Sequence, residues 1–325
     1  MRFSIIVPVF NGEEMIASCL DALIKQDYDP KLFEVIVVND ASTDRTAEIA
    51  SRYPVRLINL EKNSGRIHAR NTGARAARYE CLMFNDYRVV PERKLLRKID
   101  ARNYRPVMPD VMDYDGSKWG FKRFFYLLRC KIYKPFYPFS AKFSEVFITP
   151  ENFNRIPKGT TNFVCDKELW FQSQPEKIDK YTNDDTRVLK SIIKVKPILR
   201  TSHMSVEYFQ RTGLKQIVKH TYERGPRFAD YYLRQGGIYF LPYAMAWFTL
   251  IVFILFTLWE PRILFFVFGL VFFSYLSIIL YMKQNWRDCF VVGACFPVIF
   301  ICFGLGILKW QFQQIRNVVF VRKIS

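Results

Sequence analysis

The sequence has no Cys-x-x-Cys pair, and its seven cysteines, at 19, 81, 130, 165, 289, 295 and 302, are odd in number. Three of them sit inside apolar blocks, so a disulfide framework and a thiolate zinc centre are both excluded; the thiols read as reduced groups of a cytoplasm-facing or lipid-buried chain. The opening MRFSIIVPVF holds too short an apolar run for a secretory signal and has no small-residue cleavage site, so the first domain is expected to stay on the side where it is made. Acidic residues are outnumbered, 30 against 48 basic, for a net charge of +18. Charge is missing altogether from 239–259, 263–282 and 289–308. Each of these blocks is about the 20 residues that a helix needs to cross a bilayer.

What remains falls into two parts, as 325 residues allow for one substantial α/β domain and something smaller. The excess of positive charge fits nucleic acid, anionic lipid or an acidic substrate such as a nucleotide diphosphate. Lys and Arg are densest just before the apolar blocks, which favours lipid. Nucleic acid binding, with aromatic residues stacking on bases, is disfavoured by apolar blocks of spanning length.

Along the first ninety residues, apolar runs alternate with stretches of helical spacing. Ser4–Phe10 reads as a strand ending at Asn11-Gly12, and Glu13–Gln26 as a helix with Met15, Ile16, Cys19, Leu20, Leu23 and Ile24 on one face. Phe33–Val38 is a strand ending at Asn39-Asp40, with Ser42 or Thr43 as a cap for a helix over Arg45–Tyr53. Val55–Asn59, Arg66–Arg78 and Cys81–Phe84 continue as strand, helix and strand. This alternation predicts an α/β fold with a doubly wound, mostly parallel sheet. In such sheets the ligand lies beyond the carboxyl ends of the strands, where Asn11, Asp40 and Asp86 fall.

From Trp119 to Phe147 aromatic and basic residues interleave, as they do over Val206–Arg234. The first stretch reads as a surface on the headgroup layer, as a loop gripping a lipid-linked acceptor, or as an ordinary aromatic core with a solvated basic face. The second is expected to be interfacial. Glu260-Pro261-Arg262 joins the first two apolar blocks as a tight hairpin, and the basic run before Tyr239 places the first domain inside. Three full crossings leave Lys309, Arg316, Arg322 and Lys323 outside, whereas a third segment bent at Pro297 keeps them inside.

Four ordered segments, SIIVPVFNGE (4–13), VVNDASTDRT (37–46), NSGRIHARNTG (63–73) and FNDYRVVP (84–91), together resemble glycosyltransferase family 2. GTTNFVCDKELW (159–170) and NDDTRVL (183–189) look like its acceptor-side strand and late acidic motif. The subgroup most like this chain contains membrane-bound exopolysaccharide (succinoglycan-type) and polyprenyl-phosphate sugar transferases. The resemblance implies an A-type, Rossmann-like fold: a nucleotide-sugar-binding domain over 1–205, interfacial helices over 206–237, membrane helices over 238–308 and a basic tail over 309–325.

The resemblance also assigns residues. Pro8, Phe10 and Glu13 shape the nucleoside pocket, and Asp40 accepts hydrogen bonds from base or ribose, its plainer role being to cap the turn that follows it. Arg66 and Arg70 grip the diphosphate, unless they are solvated helix charges. Asp86 matches the first acid of the D-x-D signature that holds a divalent cation, Mg²⁺ or Mn²⁺. The second acid is replaced by Arg88, which cannot bind a cation but can itself neutralise diphosphate charge. His203 stands where a further metal ligand falls in related folds, or is structural. Asp184 and Asp185 match the late acidic pair, with Asp185 as general base toward the acceptor.

The implied activity is a single, inverting displacement from a UDP-sugar to a hydroxyl of a lipid-linked glycan. A hydroxyl needs a base, whereas a polyprenyl phosphate is already ionised. A multi-pass membrane protein with a cytoplasmic catalytic domain is expected. Competing readings are a polyprenyl-phosphate sugar transferase and a non-catalytic membrane scaffold; a processive synthase is disfavoured because no Q-x-x-R-W occurs.

Overall fold

The computed structural model describes residues 1–112, 118–134, 136–137, 144–176, 184–211, 213–233, 237, 239–259 and 263–321; at 112, 184–185, 251, 253–259, 263–267, 315 and 317–321 the backbone alone is described. Asn183, the 260–262 connection and Arg322 and Lys323 of the basic tail lie outside these residues. The chain divides into two compact units. A sheet unit comprises Met1–Tyr114 and Ile132–Gln210; a helical unit comprises Asp115–Lys131 and Arg211–Ser325.

The sheet unit begins as the alternation predicts. β1 (Phe3–Val9) leads to α1 (Ile16–Ile24), β2 (Phe33–Asn39), α2 (Thr46–Ala50), β3 (Arg56–Asn59), α3 (Arg66–Ala76) and β4 (Cys81–Asn85). Every residue of β1 and β4 is buried, which is why they read as unbroken apolar runs. On α1 the buried residues are Ile16, Cys19, Leu20 and Leu23, one helical face. α2 starts later than Ser42 or Thr43 would place it, with Arg45 at its cap position, because those hydroxyl residues belong to the preceding turn.

β5 (Val89–Pro91), α4 (Leu95–Arg102), β6 (Val107–Met112), β7 (Glu145–Ile148), β8 (Asn162–Asp166), α6 (Lys167–Gln172), α7 (Asp184–Val195) and β9 (Ile198–Tyr208) complete this unit; α5 (Gly120–Ile132), which intervenes after β6, falls almost wholly in the helical unit. The sheet order is β3-β2-β1-β4-β8-β6-β9-β5, with β7 also paired to β9. β3, β2, β1 and β4 are mutually parallel. Beyond β4 the sheet is mixed, since β8 is antiparallel to β4 and β6, and β5 and β7 are antiparallel to β9. The expected mostly parallel sheet therefore holds only for its first half. β1 pairs with β2 on one side and β4 on the other, which places a topological switch point at their carboxyl ends. Two apolar layers cover the sheet, one containing Leu20, Leu23, Leu96 and Ile99, the other Ile67, Trp170, Leu189 and Ile192.

In the helical unit, α8 (Leu214–Tyr232), α9 (Phe240–Trp259), α10 (Ile263–Met282) and α11 (Arg287–Val321) follow β9. Val206, expected to open an interfacial helix, is instead buried in β9. Among the described residues one helical stretch, Arg287–Gln314, is long and apolar enough to cross a membrane, and Phe240–Leu250 and Phe268–Met282 are shorter apolar stretches. α11 runs unbroken through Pro297, so the bend anticipated there does not divide it into two helices. α8 and α11 meet backbone to backbone: a Cβ on Gly306 would lie 2.2 Å from the Tyr222 carbonyl oxygen, and one on Gly225 2.6 Å from that of Phe303. α5 buries Phe124 and Leu127 in a cluster with Met282, Val291, Val292 and Cys295. Arg123 of α5 also forms a two-pronged ion pair with the buried Asp288, Nε to Oδ1 at 2.8 Å and Nη2 to Oδ2 at 3.0 Å. One face of the aromatic and basic segment is thus an ordinary apolar core.

Candidate functional site

The turns that leave β1 and β2 are clasped to each other. Asn11 and Ala41 both have positive φ, 49° and 57°, an uncommon conformation for Ala that only surrounding bonds sustain. The Asn11 amide donates to Ser42 Oγ at 2.9 Å, and Asn11 Oδ1 accepts from the Thr43 amide at 2.9 Å. The Gly12 amide donates to Thr46 Oγ1 at 2.8 Å and the Glu13 amide to Asp44 Oδ2 at 3.1 Å. Glu13 Oε2 in turn accepts from the Arg45 amide at 3.1 Å. Burial pushes the Asp44 carboxyl up, but the bonds it accepts from Thr46 and Glu13 outweigh this and hold it below the usual carboxylate range. Glu13 therefore rigidifies the turn, while Pro8 is buried in β1 and Phe10 stands exposed at its end.

Asp40, at the end of β2, reaches the next segment. Its Oδ1 accepts from the Ser64 amide at 2.8 Å and its Oδ2 from the Gly65 amide at 2.9 Å, and the side chain is buried. Gly65 is the cap position of α3 with φ 93°, a conformation that favours glycine. The carboxylate thus fixes the start of the helix that carries Arg66 and Arg70; it does not cap its own turn. Arg66 is half-buried at the first helical position. Arg70 is fully buried, and its Nη2 donates to the Thr160 carbonyl at 3.1 Å.

The segment before β8 joins Arg70 to Asp86. The Asp86 amide donates to the Thr161 carbonyl at 2.8 Å, one residue from the Thr160 carbonyl that Arg70 holds. Below it, Asn162 Nδ2 donates to Asn85 Oδ1 at 2.6 Å, and Asn85 Nδ2 donates to the carbonyls of Asp86 and Val89 at 3.1 Å each. Both asparagines are buried. The Asp86 carboxylate accepts from the Arg88 amide at 3.3 Å and is only half-buried. Lys158, two residues before Thr160, has its ammonium over the Phe153 ring at 4.1 Å and near the carbonyls of Phe153 and Ile156. Burial pulls it down to about 8.

Arg88 points elsewhere. Its Nη1 donates to the Phe209 carbonyl at 3.3 Å, its Nε to the Tyr87 hydroxyl at 3.4 Å, and its Nη2 lies 4.0 Å from Glu14 Oε2. At 7% exposure the guanidinium is tucked against the end of β9.

His203 is not brought to Asp86. Tyr208, the partner of Val89, is five positions along β9 from His203, about 16 Å of extended chain. His203 lies in the irregular stretch of β9 between Thr201, paired with Pro109, and Ser205, paired with Asp110, and is exposed. Among the described residues no group of three or more His, Cys, Asp or Glu is arranged to hold a metal ion. The donor chemistry at Asp86 is one carboxylate, enough for Mg²⁺ or Mn²⁺ only where phosphate oxygens complete the shell.

Glycosyl transferase family 2 matches residues 4–153. The chain carries a glycosyl transferase family 2 domain. The chain is 41% identical over 91 residues to the Staphylococcus aureus poly(ribitol-phosphate) β-N-acetylglucosaminyltransferase TarS, covering 26% of this chain and 16% of that protein. It is 37% identical over 92 residues to the poly(ribitol-phosphate) β-glucosyltransferase of Bacillus spizizenii, covering 26% and 14%. The match therefore spans a small part of these relatives' own length. The crystal structure of S. aureus TarS 1–349 with UDP-GlcNAc superposes with a TM-score of 0.52 at 21% identity, covering 70% of this chain and 67% of that one, a likeness of fold.

The family 2 domain thus contains Pro8, Phe10, Glu13, Asp40, Arg66, Arg70, Asp86 and Arg88 within its matched span, whereas Asp184, Asp185 and His203 fall beyond it. α7 begins at Asp184, and the side chains of Asp184 and Asp185 lie outside the described residues. Sequence reasoning missed the Asp44–Thr46 hook and the Asn85–Asn162 pair. The first carried a signal, since Asp-x-Thr after a strand is an Asx turn. The second joins residues 77 apart and had none.

Proposed function

We propose that this chain is a membrane-associated, inverting glycosyltransferase that moves a sugar from a nucleotide diphosphate sugar, a UDP-sugar, to a hydroxyl of a lipid-linked glycan in cell-surface polysaccharide or glycoconjugate assembly. The observation that carries the reading is the hydrogen-bonded path from Asp40 through the start of α3 to Arg70, the Thr160–Thr161 backbone and Asp86. It assembles the separate motifs at the switch point of the sheet, where an α/β fold takes its ligand. The names of the two relatives, both sugar transferases acting on a polyol phosphate polymer, support a hydroxyl acceptor.

In this reading Phe10 and the clasped turns frame the nucleoside. Arg66 stands where the α3 amino end favours negative charge and, with Arg70 behind it, opposes the diphosphate. A divalent cation, if bound, would be held by Asp86 and would neutralise the leaving diphosphate. Arg88 is committed within the protein and keeps the Asp86 loop in place. Asp185, in the first turn of α7, takes the acceptor proton. Attack by the hydroxyl oxygen on the anomeric carbon breaks the bond to the diphosphate in one step, which inverts configuration. The basic α8 before the apolar helices supports a membrane-bound enzyme with its sheet unit on the cytoplasmic face.

The test is release of nucleotide diphosphate by the detergent-purified chain over a panel of nucleotide sugars with membrane lipid extract, with Mg²⁺, Mn²⁺ or chelator. Donor-specific release that needs the extract, and that falls at least 100-fold in Asp185→Asn, supports the reading. No release and no nucleotide binding with any donor supports the scaffold instead.

A further inference from the structure

The helical unit presents apolar surface far beyond what a water-facing protein carries. Phe290, Ile301, Leu305, Leu308 and Phe312 of α11 are exposed, and their spacing places them on one stripe about 33 Å long. α10 exposes Phe268, Phe272, Phe273 and Leu280 on several sides, sparing the seam with α11 formed by Ile278, Ile279 and Met282. The opposite flank of α11 is occupied at both ends by charged helices. At its amino end Asp288 pairs with Arg123 of α5, and at its carboxyl end Gly306 abuts α8, with Lys309 over the Tyr222 ring at 5.4 Å.

Chain length decides on which side of a bilayer those helices lie. The seven residues 113–119 join β6 to α5, and even fully extended they reach about 25 Å, short of the roughly 30 Å hydrocarbon core. They include Asp113, Asp115 and Lys118, whose charges are costly to place in hydrocarbon. The five residues 209–213 join β9 to α8, which carries Lys215, Lys219, Arg224, Arg227 and Asp230. Short connections thus hold α5 and α8, and with them both ends of the apolar stretch of α11, on one face of any bilayer. A helix that is continuous from Asp288 to Lys309 cannot have both ends on one face and also cross.

We propose that α11 does not span the bilayer but lies along a single leaflet, with its exposed stripe in the acyl layer and α5 and α8 at the headgroups. The basic residues of α5 and α8, with Lys283 and Arg287 at the α10–α11 turn, fit an anionic leaflet. This rests on the reading that the helical unit meets a membrane, and it removes α11 from the three spans expected from the apolar blocks alone.

The experiment uses the full chain with Cys130, Cys289 and Cys302 replaced by Ser, the remaining cysteines being buried. Single reporters Lys25→Cys on the sheet unit, Lys283→Cys at the α10–α11 turn and Gln314→Cys near the end of α11 are reconstituted into sealed phosphatidylcholine vesicles containing phosphatidylglycerol. Each is treated with a membrane-impermeant maleimide before and after detergent. A chain whose α11 keeps both ends on one face labels all three reporters to the same fraction before detergent. Protection of Lys283→Cys that is complementary to that of Gln314→Cys overturns the proposal in favour of a span. Flotation is run in parallel, and a chain that leaves the vesicles on washing refutes the membrane reading itself.

Discussion

Replacing Asp40 by Asn isolates what that carboxylate does. In the native chain its two oxygens accept from the Ser64 and Gly65 amides at 2.8 and 2.9 Å in a buried site. Asparagine keeps the shape but turns one acceptor into an amino group that faces an N–H in either orientation. One charge-assisted hydrogen bond worth ~1.5–3 kcal/mol is lost and one buried amide is left unmet at ~1–3 kcal/mol; the two overlap, so the cost is about 3 kcal/mol. At ~2–4 °C per kcal/mol for a domain of this size, the melting temperature falls by about 9 °C. Thermal unfolding of the detergent-purified variant by circular dichroism measures this, with a UDP titration of the still-folded protein beside it. Weakened UDP binding accompanies the lower melting temperature, because the start of α3 loosens. A variant that melts within 2 °C of the parent yet loses UDP binding refutes the argument, since Asp40 would then act on the ligand and not on the loop.

Other expectations follow from the same geometry. Arg88→Asp restores the family's second acid but places an unpaired carboxylate in a nearly closed site beside the Phe209 carbonyl, costing about 3 kcal/mol in urea unfolding; equal stability with new Mn²⁺-dependent activity would contradict it. Gly306→Ala forces α8 and α11 apart by about 1 Å and lowers the melting temperature of the helical unit, at ~1–3 kcal/mol, whereas Gly304→Ala, with open space at its Cβ, does not. Lys158 carries a pH signature. Its native value of about 8 lies below the ordinary 10.5, so between these limits the unfolded chain binds more protons and stability rises with pH. The rise is at most about 3 kcal/mol; urea midpoints at pH 8 and pH 10 detect it, and Lys158→Met abolishes it.

The first half of the sheet unit was readable because β1, β2 and β4 are covered on both faces and α1 on one, so burial writes itself into the residue pattern. The second half was not. β5 and β7 have three and four residues, too few for a period, and β9 carries a register break opposite Pro109 and Asp110. At the site, motif order identified which residues matter but not what they touch. Asp40 and Gly65 are 25 residues apart, and Arg88 and Phe209 are 121 apart; pairings at such separations are set by sheet topology. The apolar blocks were visible at once, and among the described residues one helical stretch, Arg287–Gln314, is long and apolar enough to cross a membrane. The helices packed on both ends of α11 come from segments that composition alone could not connect to it.

α5 has a practical consequence for anyone wishing to work with the sheet unit in water. Although its residues lie between β6 and β7 in the chain, it folds with the C-terminal helices. Truncation after Gln210 would remove those helices and leave Phe124 and Leu127 without their cover. The shortened protein would carry an uncovered amphipathic arm in the middle of the sheet unit. Separating the sheet unit from the helical one needs two cuts, one after Gln210 and one exchanging 115–131 for a short polar linker.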